Sequence, residues 1–470
     1  MEEEFVMLSR TFAVVLIPFL LGHAVASTAV ERPNLIVILT DDQGYHDVGF
    51  NGCEDIPTPH IDRLADEGVL FTNGYVTESV CGPSRAGLLT GRYQGRFGFN
   101  DNPSVDPSNP DIGIPLEEKT IAEHLKTVGY RSKIVGKWHM GSHPQHHPMR
   151  RGFDEFFGFL AGGRHYLPEE IYLDDFSDVT RNWDWYNMKL IDGYDRVGID
   201  EYLTDAFSNE AVRFVEESAK HREPFFLYLA YNAPHGPLEA TEKYLSRFSN
   251  IEDLERRTYA AMVSAVDDGV GRVLQALEKQ GLSDDTLVVF LSDNGGSLKN
   301  ASSNEPLRGH KGRLWEGGVR VPFAMRWPGT IPQGVVREDP VISLDILATI
   351  AEHSGVLISP ERPLDGIDLL PYLRGEVEAL PNRQLTWRSG SDAKRFAIRQ
   401  GDWKLVRTVD HERGPSLHNL ANDLSEQRDL GTREFETAAA LSEDWEEWAS
   451  ELEPTAFPTL GKDKWWLRSE

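Results

Sequence analysis

Four stretches of the chain share one design, an apolar run that ends in a cluster of polar residues. NLIVILTDDQG runs into Asp41 and Asp42, RSKIVGKWHMG into Lys137 and His139, PFFLYLAYNAPHGP into His235, and TLVVFLSDNGG into Asp293 and Asn294. Near-continuous apolar runs of this length predict strands buried on both faces of a parallel sheet. Ligands of open α/β sheets bind beyond the carboxyl ends of the strands, so a single sheet would let all four clusters meet. Between the runs lie helix-period patterns with clear stops. In TPHIDRLADEG, Thr58 is suited to cap, Pro59 takes the first helical position and Gly68 ends the helix. KTIAEHLKTVGY carries Ile121, Leu125 and Val128 on one stripe before Gly129. TYAAMVSAVDDGVGRVLQALEKQG carries Met262, Val266, Val270, Val273 and Leu277 at helical spacing before Gly281, and these side chains are read as core. Strands alternating with helices predict an α/β fold with a large, mostly parallel central sheet sandwiched by helices.

The stretch SVCGPSRAGLLTGR, residues 79–92, predicts a short helix with Pro83 in its first turn and Gly91 as its stop. Cys81 then sits at the helix N-terminus, where free N–H groups and the helix dipole favour an anion, with Arg85 one turn along. Such a thiol is either a small buried apolar group or a reactive group facing an anionic substrate. Residues 140–200, with HPQHHPMRRG and RNWDWYN, are less periodic and read as long loops over the sheet. From about residue 375 the character changes. RFAIRQGDWKLVRT predicts a hairpin turning near Gln400 to Asp402, and AAALSEDWEEWASEL predicts a helix. The expected organisation is a signal peptide over 1–26, a catalytic domain over 27–375, and a smaller C-terminal α+β subdomain over 376–470 with a small antiparallel sheet and a helix.

The signal-peptide reading rests on TFAVVLIPFLLG followed by Ala24, Val25 and Ala26, which predicts cleavage before Ser27. Glu2 to Glu4 are wrong for its start, whereas Met7 followed by Arg10 suits it, which points to Met7 as the initiator. No stretch reaches the roughly eighteen apolar residues of a membrane span, and no cysteine stands at the cleavage site to take a lipid. The expected product is periplasmic or secreted, without a membrane anchor. Its two cysteines, Cys53 and Cys81, allow one disulfide or none, and none if Cys81 is chemical. Asp and Glu number 75 against 48 Lys and Arg, a net charge of -27, which argues against nucleic acid and anionic membranes as partners. A polyanionic substrate must then meet a local basic patch.

Asp41, Asp42, Asp293 and Asn294 offer only oxygen ligands, the inventory that calcium or magnesium prefers. One such pair at a strand end serves a turn or a cap, but two pairs on neighbouring strands point to a metal. Lys137, His139, His235 and Lys311 add cations and proton carriers. A basic and histidine-rich set around a divalent ion is what an anionic ester oxygen requires.

Cys81, Pro83, Ser84 and Arg85, in the pattern C-x-P-S-R followed by LLTGR, resemble the signature of the type I, formylglycine-dependent sulfatases of the alkaline phosphatase superfamily. Further blocks similar to that family appear in order: NLIVILTDDQG, TPHIDRLADEGVLFTNGY, GKWHMG, RGFDEFFGF, APHGP, SDNGG, LRGHKGRLWEGGVRVPF and AIRQGDWKLV, which together span residues 34–407. The resemblance implies an alkaline phosphatase-like fold and a sulfuric ester hydrolase. It implies that a maturation enzyme oxidises Cys81 to formylglycine (3-oxoalanine). It also implies one calcium ion on Asp41, Asp42, Asp293, Asn294 and an oxygen of residue 81. In that scheme Arg85 holds the aldehyde hydrate and Lys137 bridges hydrate and sulfate. His235 and Lys311 face the bridging ester oxygen and assist the leaving group, and His139 takes a proton from the second hydroxyl to expel sulfate. His310 stands before Lys311 where many members have Gly, an extra donor at the pocket floor.

The sulfate site is common to such a family, so loops must choose the substrate. Candidates are His146, His147, Arg150 and Arg151, then Arg164, His165 and Tyr166 in GGRHYLP. Arg151 opens RGFDEFFGF and is read as a fold residue, which leaves Arg164 and His165, with His310, as the specificity candidates. Trp183 and Trp185 either stack on sugar rings or pack a loop. The chain is most similar to bacterial enzymes that desulfate carbohydrates, such as algal glycans or glycosaminoglycans. The expected substrate is therefore an oligo- or polysaccharide sulfate, the alternatives being a small aryl sulfate, or a phosphodiester or phosphonate. A non-catalytic binder of sulfated glycans would need neither Cys81 nor the metal ligands.

Overall fold

The computed structural model describes residues 32–390, 394–408 and 414–459, so the expected signal peptide lies outside the described residues. Ten strands form the main sheet: β1 (Asn34–Thr40), β2 (Val69–Phe71), β3 (Arg131–Lys137), β4 (Glu155–Phe159), β5 (Leu190–Asp192), β6 (Asp195–Val197), β7 (Phe225–Ala230), β8 (Thr286–Ser292), β9 (Phe323–Arg326) and β10 (Val335–Arg337). Their order is β10-β2-β9-β8-β1-β7-β3-β4-β5-β6. The four apolar runs of the sequence are the central neighbours β8, β1, β7 and β3, all mutually parallel. β4 continues the parallel set beyond β3. Antiparallel pairs lie on both flanks, β9 against β8 and β2, and β5 against β4 and β6.

Helices α1 (Pro59–Asp66), α2 (Cys81–Thr90), α3 (Ile121–Lys126), α4 (Leu203–Ser218), α5 (Leu254–Gln280) and α6 (Asp345–Ser354) cover both faces of this sheet. Alternate residues of β1 point to opposite faces, as the strand period requires. Leu35, Val37 and Leu39 join a core with Leu88, Ile121, Leu125 and Ile350 from α2, α3 and α6. Ile36 and Ile38 join the other core with Ile61, Phe207, Val266 and Val270 from α1, α4 and α5. The expected helix stops at Gly91 and Gly281 are formed, with φ of 64° and 67°, the left-handed conformation that ends a helix at little cost to glycine.

Two expectations are corrected. Thr58 flanks α1 but does not cap it: its hydroxyl accepts from the Gly49 N–H and donates to Asp62. The free N–H groups of His60 and Ile61 instead donate to Asp267 Oδ1 on α5, at 3.0 and 2.8 Å. Residues 140–200 are not loops throughout, because β4, β5 and β6 extend the sheet there. β4 is only five residues long and its Glu155 and Phe157 are only half-buried, which hides it from a search for long continuous apolar runs.

The C-terminal part forms a separate antiparallel sheet of β11 (Gln384–Arg388), β12 (Phe396–Gln400), β13 (Trp403–Arg407) and β14 (Ser416–Asn419). The expected hairpin pairs Gln400 with Trp403. Helix α7 (Phe435–Ala449) packs on this sheet, with the Phe396 and Trp445 rings stacked at 4.1 Å. Trp387 packs back against Tyr75 at 5.4 Å, in a cluster that includes Trp315 and Val319. The small sheet thereby shares a core with the segment that follows Lys311.

Candidate active site

The parallel register decides which polar residues meet. Thr40 lies opposite Ser292, so Asp41 and Asp42 leave β1 beside Asp293 and Asn294 leaving β8. The Asp293 N–H donates to Thr40 O at 2.9 Å, and the Asp42 N–H to Asp293 Oδ1 at 3.2 Å. Asp42 and His139 both hold positive φ, 61° and 60°, so each strand end turns sharply and delivers its side chain to the same point. A non-glycine residue is uncommon there and is found most often where function fixes the backbone. Lys137 ends β3, and His235 follows β7, braced by the Tyr166 hydroxyl on its carbonyl at 2.7 Å.

Helix α2 brings in Cys81 as its first residue and Arg85 one turn later, both buried. Arg85 donates from Nε to Asp293 Oδ2 at 2.9 Å and from Nη1 to Lys137 O at 3.1 Å, and its Nη2 lies 2.8 Å from Asp293 Oδ2. Lys137 Nζ is 2.5 Å from Asp41 Oδ2. Lys311 Nζ lies 2.6 Å from Asp42 Oδ1 and 3.2 Å from Cys81 Sγ. Cys81 Sγ is 3.3 Å from Asp41 Oδ1 and 3.8 Å from Asp42 Oδ1. His235 Nε2 stands 3.7 Å from Asp42 Oδ2, while its Nδ1–H donates to Gly236 O at 2.6 Å. The ring nitrogens of His139 are buried without a hydrogen-bond partner among the described residues.

Burial and crowding set the charges. Burial and the neighbouring Asp41 push Asp293 up to about 6, against the pull of Arg85. Burial also opposes ionisation of Asp42, but Lys311 and His235 overcome it and hold that carboxyl well below its usual range. Burial and Lys311 push His235 down to about 3, and burial with Lys137 and Arg85 keeps His139 neutral far below its usual value. The Cys81 thiol is pushed up by burial and by Asp293 and Asp41. Both cysteines are free, so no disulfide competes for Cys81.

This set fits a hard divalent cation. Ligand atoms of Asp41, Asp42, Cys81 and His235 lie within 4.8 Å of one another. Asn294 donates its Nδ2 to Asp42 Oδ1 at 2.8 Å, and its Oδ1 is buried with no hydrogen-bond partner. Crowded carboxylates with an orphaned amide oxygen make an oxygen-rich donor set of the kind calcium or magnesium takes.

A cavity of about 470 Å³ opens above the cluster, with Asp42, Cys81, His139, His235 and Lys311 among the residues that line it. Gly162, Gly163, Trp183, Trp185 and Tyr186 also line it, as do residues 297–300, Asn102 and His310. His310 bonds through Nδ1 to Lys311 O at 2.9 Å. Arg164 and His165 do not line it. Arg164 is buried with its guanidinium 5.2 Å over the Phe159 ring, and burial lowers it to about 9. His165 pairs with Glu239 at 2.6 Å and meets the edge of Tyr186. The basic stretch also lies elsewhere: His146 bonds Pro110 O, His147 stacks on Tyr194, and Arg151 binds the carbonyls of Ile114 and Glu118. Asn102, Tyr186, Lys299 and Asn300 escaped the sequence reading, because single residues in loops carry no period. Asn102 accepts from the Gly82 N–H at the start of α2, and Asn300 donates to Asp42 O.

A family model described as Sulfatase matches residues 33–356. The chain is 36% identical over 367 residues to N-acetylgalactosamine-6-sulfatase of Mus musculus, covering 76% of this chain and 69% of that protein. The crystal structure of Ps i-CgsB in complex with k-i-k-neocarrahexaose superposes with a TM-score of 0.86 and 39% identity, covering 91% of this chain and 94% of the other. The PsFucS1 sulfatase from Pseudoalteromonas sp. superposes with a TM-score of 0.74 and 25% identity, covering 91% of each chain.

Proposed function

The chain belongs to the sulfatase family, whose members hydrolyse sulfate esters, and from that premise we propose that it removes sulfate from a sulfated oligo- or polysaccharide. The observation that carries this reading is the constellation at the end of the cavity. Three carboxylates, Cys81, two lysines, one arginine and two histidines converge on one point below a space wide enough for a sugar. The similarity to an N-acetylgalactosamine-6-sulfatase and to a protein seen in complex with k-i-k-neocarrahexaose supports the carbohydrate class.

Asp41, Asp42, Asp293 and Asn294 would hold a divalent cation, which would supply fixed positive charge to a sulfate ester. Formylglycine at position 81, where the structure has Cys81, would supply an oxygen nucleophile with a second hydroxyl on the same carbon. The remaining work belongs to the chain's own residues. Arg85, bonded to Asp293 and to Lys137 O, fixes the orientation of a ligand carboxylate and of the strand end that bears Lys137. Lys137 contributes charge where the sulfate oxygens would lie. Neutral His139, with no competing partner, would accept a proton from residue 81. Lys311 would give a proton or a hydrogen bond to the bridging oxygen as its bond to sulfur breaks. His235, whose Nδ1–H is tied to Gly236 O, turns Nε2 toward the same carboxylate as Lys311. The catalytic unit we propose is 27–375, which contains every one of these residues, with 376–470 as its brace.

A periplasmic or secreted location and dependence on a maturation enzyme belong to the same proposal. Among the described residues no helix is long and apolar enough to cross a membrane. The test is production in a host that matures formylglycine, peptide mass at residue 81, and release of anion from defined sulfated saccharides and a matched phosphate ester. The expected result is exchange of sulfur and two hydrogens for one oxygen at position 81, with sulfate released in preference to phosphate. Cys81→Ala should fold and show no turnover. Full activity of that variant, or preference for the phosphate ester, overturns the proposal.

A further inference from the structure

Two tryptophans two residues apart have different surroundings. Both line the cavity, but Trp185 is 4% exposed and belongs to a packed core, whereas Trp183 is 47% exposed. Trp185 and Tyr186 buttress the Trp183 ring at 5.2 and 5.8 Å, and nearly half of its surface is left open. Trp183 also holds φ 75°, ψ −1°, a left-handed conformation that a bulky residue adopts at a cost. The turn is built to keep it there. Asp184 accepts from the N–H groups of Thr180 and Arg181 at 2.9 and 2.7 Å, and Trp183 O accepts from the Tyr186 N–H at 2.9 Å. Packing is already served by Trp185, so a strained turn that presents a second, open indole at a cavity mouth points to a ligand.

The segment 297–300 lines the same cavity and carries Lys299, whose exposed ammonium makes no ion pair among the described residues. A chain of net charge -27 repels a polyanion at long range, so a cation at the mouth must act locally. We propose that Trp183 and Lys299 form a second subsite, for the sugar adjoining the one that bears the scissile sulfate. The indole face, negative in its quadrupole, stacks on the C–H face of a pyranose. Lys299, a mobile point charge on a long stem, pairs with an anionic substituent of that sugar, a sulfate ester or a carboxylate. This inference rests on the sulfatase reading above.

The matured enzyme is assayed on an aryl sulfate, a sulfated monosaccharide, and two sulfated disaccharides that differ only in a charge on the second sugar. Trp183→Ala should raise KM for both disaccharides about tenfold, the loss of one aromatic contact, and leave the two small substrates within about twofold. Trp183→Phe should recover part of that loss. Lys299→Ala should raise KM for the charged disaccharide alone. Equal loss on all four substrates makes Trp183 a structural residue, and unchanged disaccharide kinetics abolishes the subsite. Wild-type enzyme inactive on every sulfate overturns the sulfatase reading itself, a result distinct from either.

Discussion

Burial, Asp293 and Asp41 all disfavour the charged form of the Cys81 thiol. The same carboxylates, with Lys311 3.2 Å from the sulfur, suit a neutral oxygen nucleophile next to a cation. Cys81→Ser tests that distinction. A serine hydroxyl can form the sulfate ester but has no second oxygen with which to expel it. The variant should release the alcohol in a burst of about one equivalent per enzyme and then stop, as seen by rapid-quench kinetics. Steady turnover by the serine variant would show that a single oxygen suffices and that residue 81 needs no aldehyde. The residues around it were legible for a simple reason: Asp41, Asp42, Lys137, Asp293 and Asn294 end apolar runs, and a parallel sheet gathers strand ends. The positive φ of Asp42 and His139, which aims the two side chains, is not marked by a glycine. Trp183 was legible as an aromatic that could meet a sugar, but Lys299, which a loop of different origin brings to the same cavity, was not.

At the scale of elements, local signals identified where helices begin but not what holds them. Helix α1 follows Thr58 and starts with Pro59, as its sequence indicates, yet its N–H groups are satisfied by Asp267 from the middle of α5. A cap more than 200 residues away has no signature in either segment. Asp267→Ala should lower stability by about 1–2 kcal/mol, the usual weight of a lost cap. Burial pushes the Asp267 carboxyl up to about 7, only partly opposed by the Ile61 and His60 N–H groups. The folded state therefore holds this proton more tightly than the unfolded chain. Between the ordinary aspartate range and about pH 7 the contribution of Asp267 falls as pH rises. Asp267→Asn keeps an acceptor and cannot ionise, so its Tm relative to wild type should be higher at pH 8 than at pH 5. A difference that does not change with pH would mean Asp267 is ionised throughout. Strand β4 was missed for a comparable reason, since a five-residue strand in which Glu155 and Phe157 are only partly buried lacks the longer apolar run that marked its neighbours.

The whole molecule sets a repulsive field against its own site. Net charge is -27, yet the cavity and its floor collect Lys137, Lys299, Lys311 and His310. The C-terminal sheet helps to hold that arrangement. Lys404 of β13 lies 2.9 Å from Glu316 and 3.0 Å from Glu426, all three fully buried, and Arg308 donates to Glu426 O at 2.6 Å. The loop that bears His310 and Lys311 is thus clamped between Arg308 and Glu316. Composition alone required a local basic patch, but it could not say that a second sheet, nearly 100 residues later in the chain, would brace it. A polyanionic substrate approaching from a distance meets the negative envelope first, and meets the cations only within the cavity. Salt screens the first interaction more than the second, because the envelope acts over many ångströms and the cations act at contact. Raising ionic strength from about 0.01 to about 0.15 M shortens the Debye length from about 30 to about 8 Å. Over that range kcat/KM for a sulfated polysaccharide should rise, and for a small aryl sulfate it should rise less. A fall for the polysaccharide would mean that the basic mouth governs encounter even at long range, and that the net charge of the chain has no part in selecting its substrate.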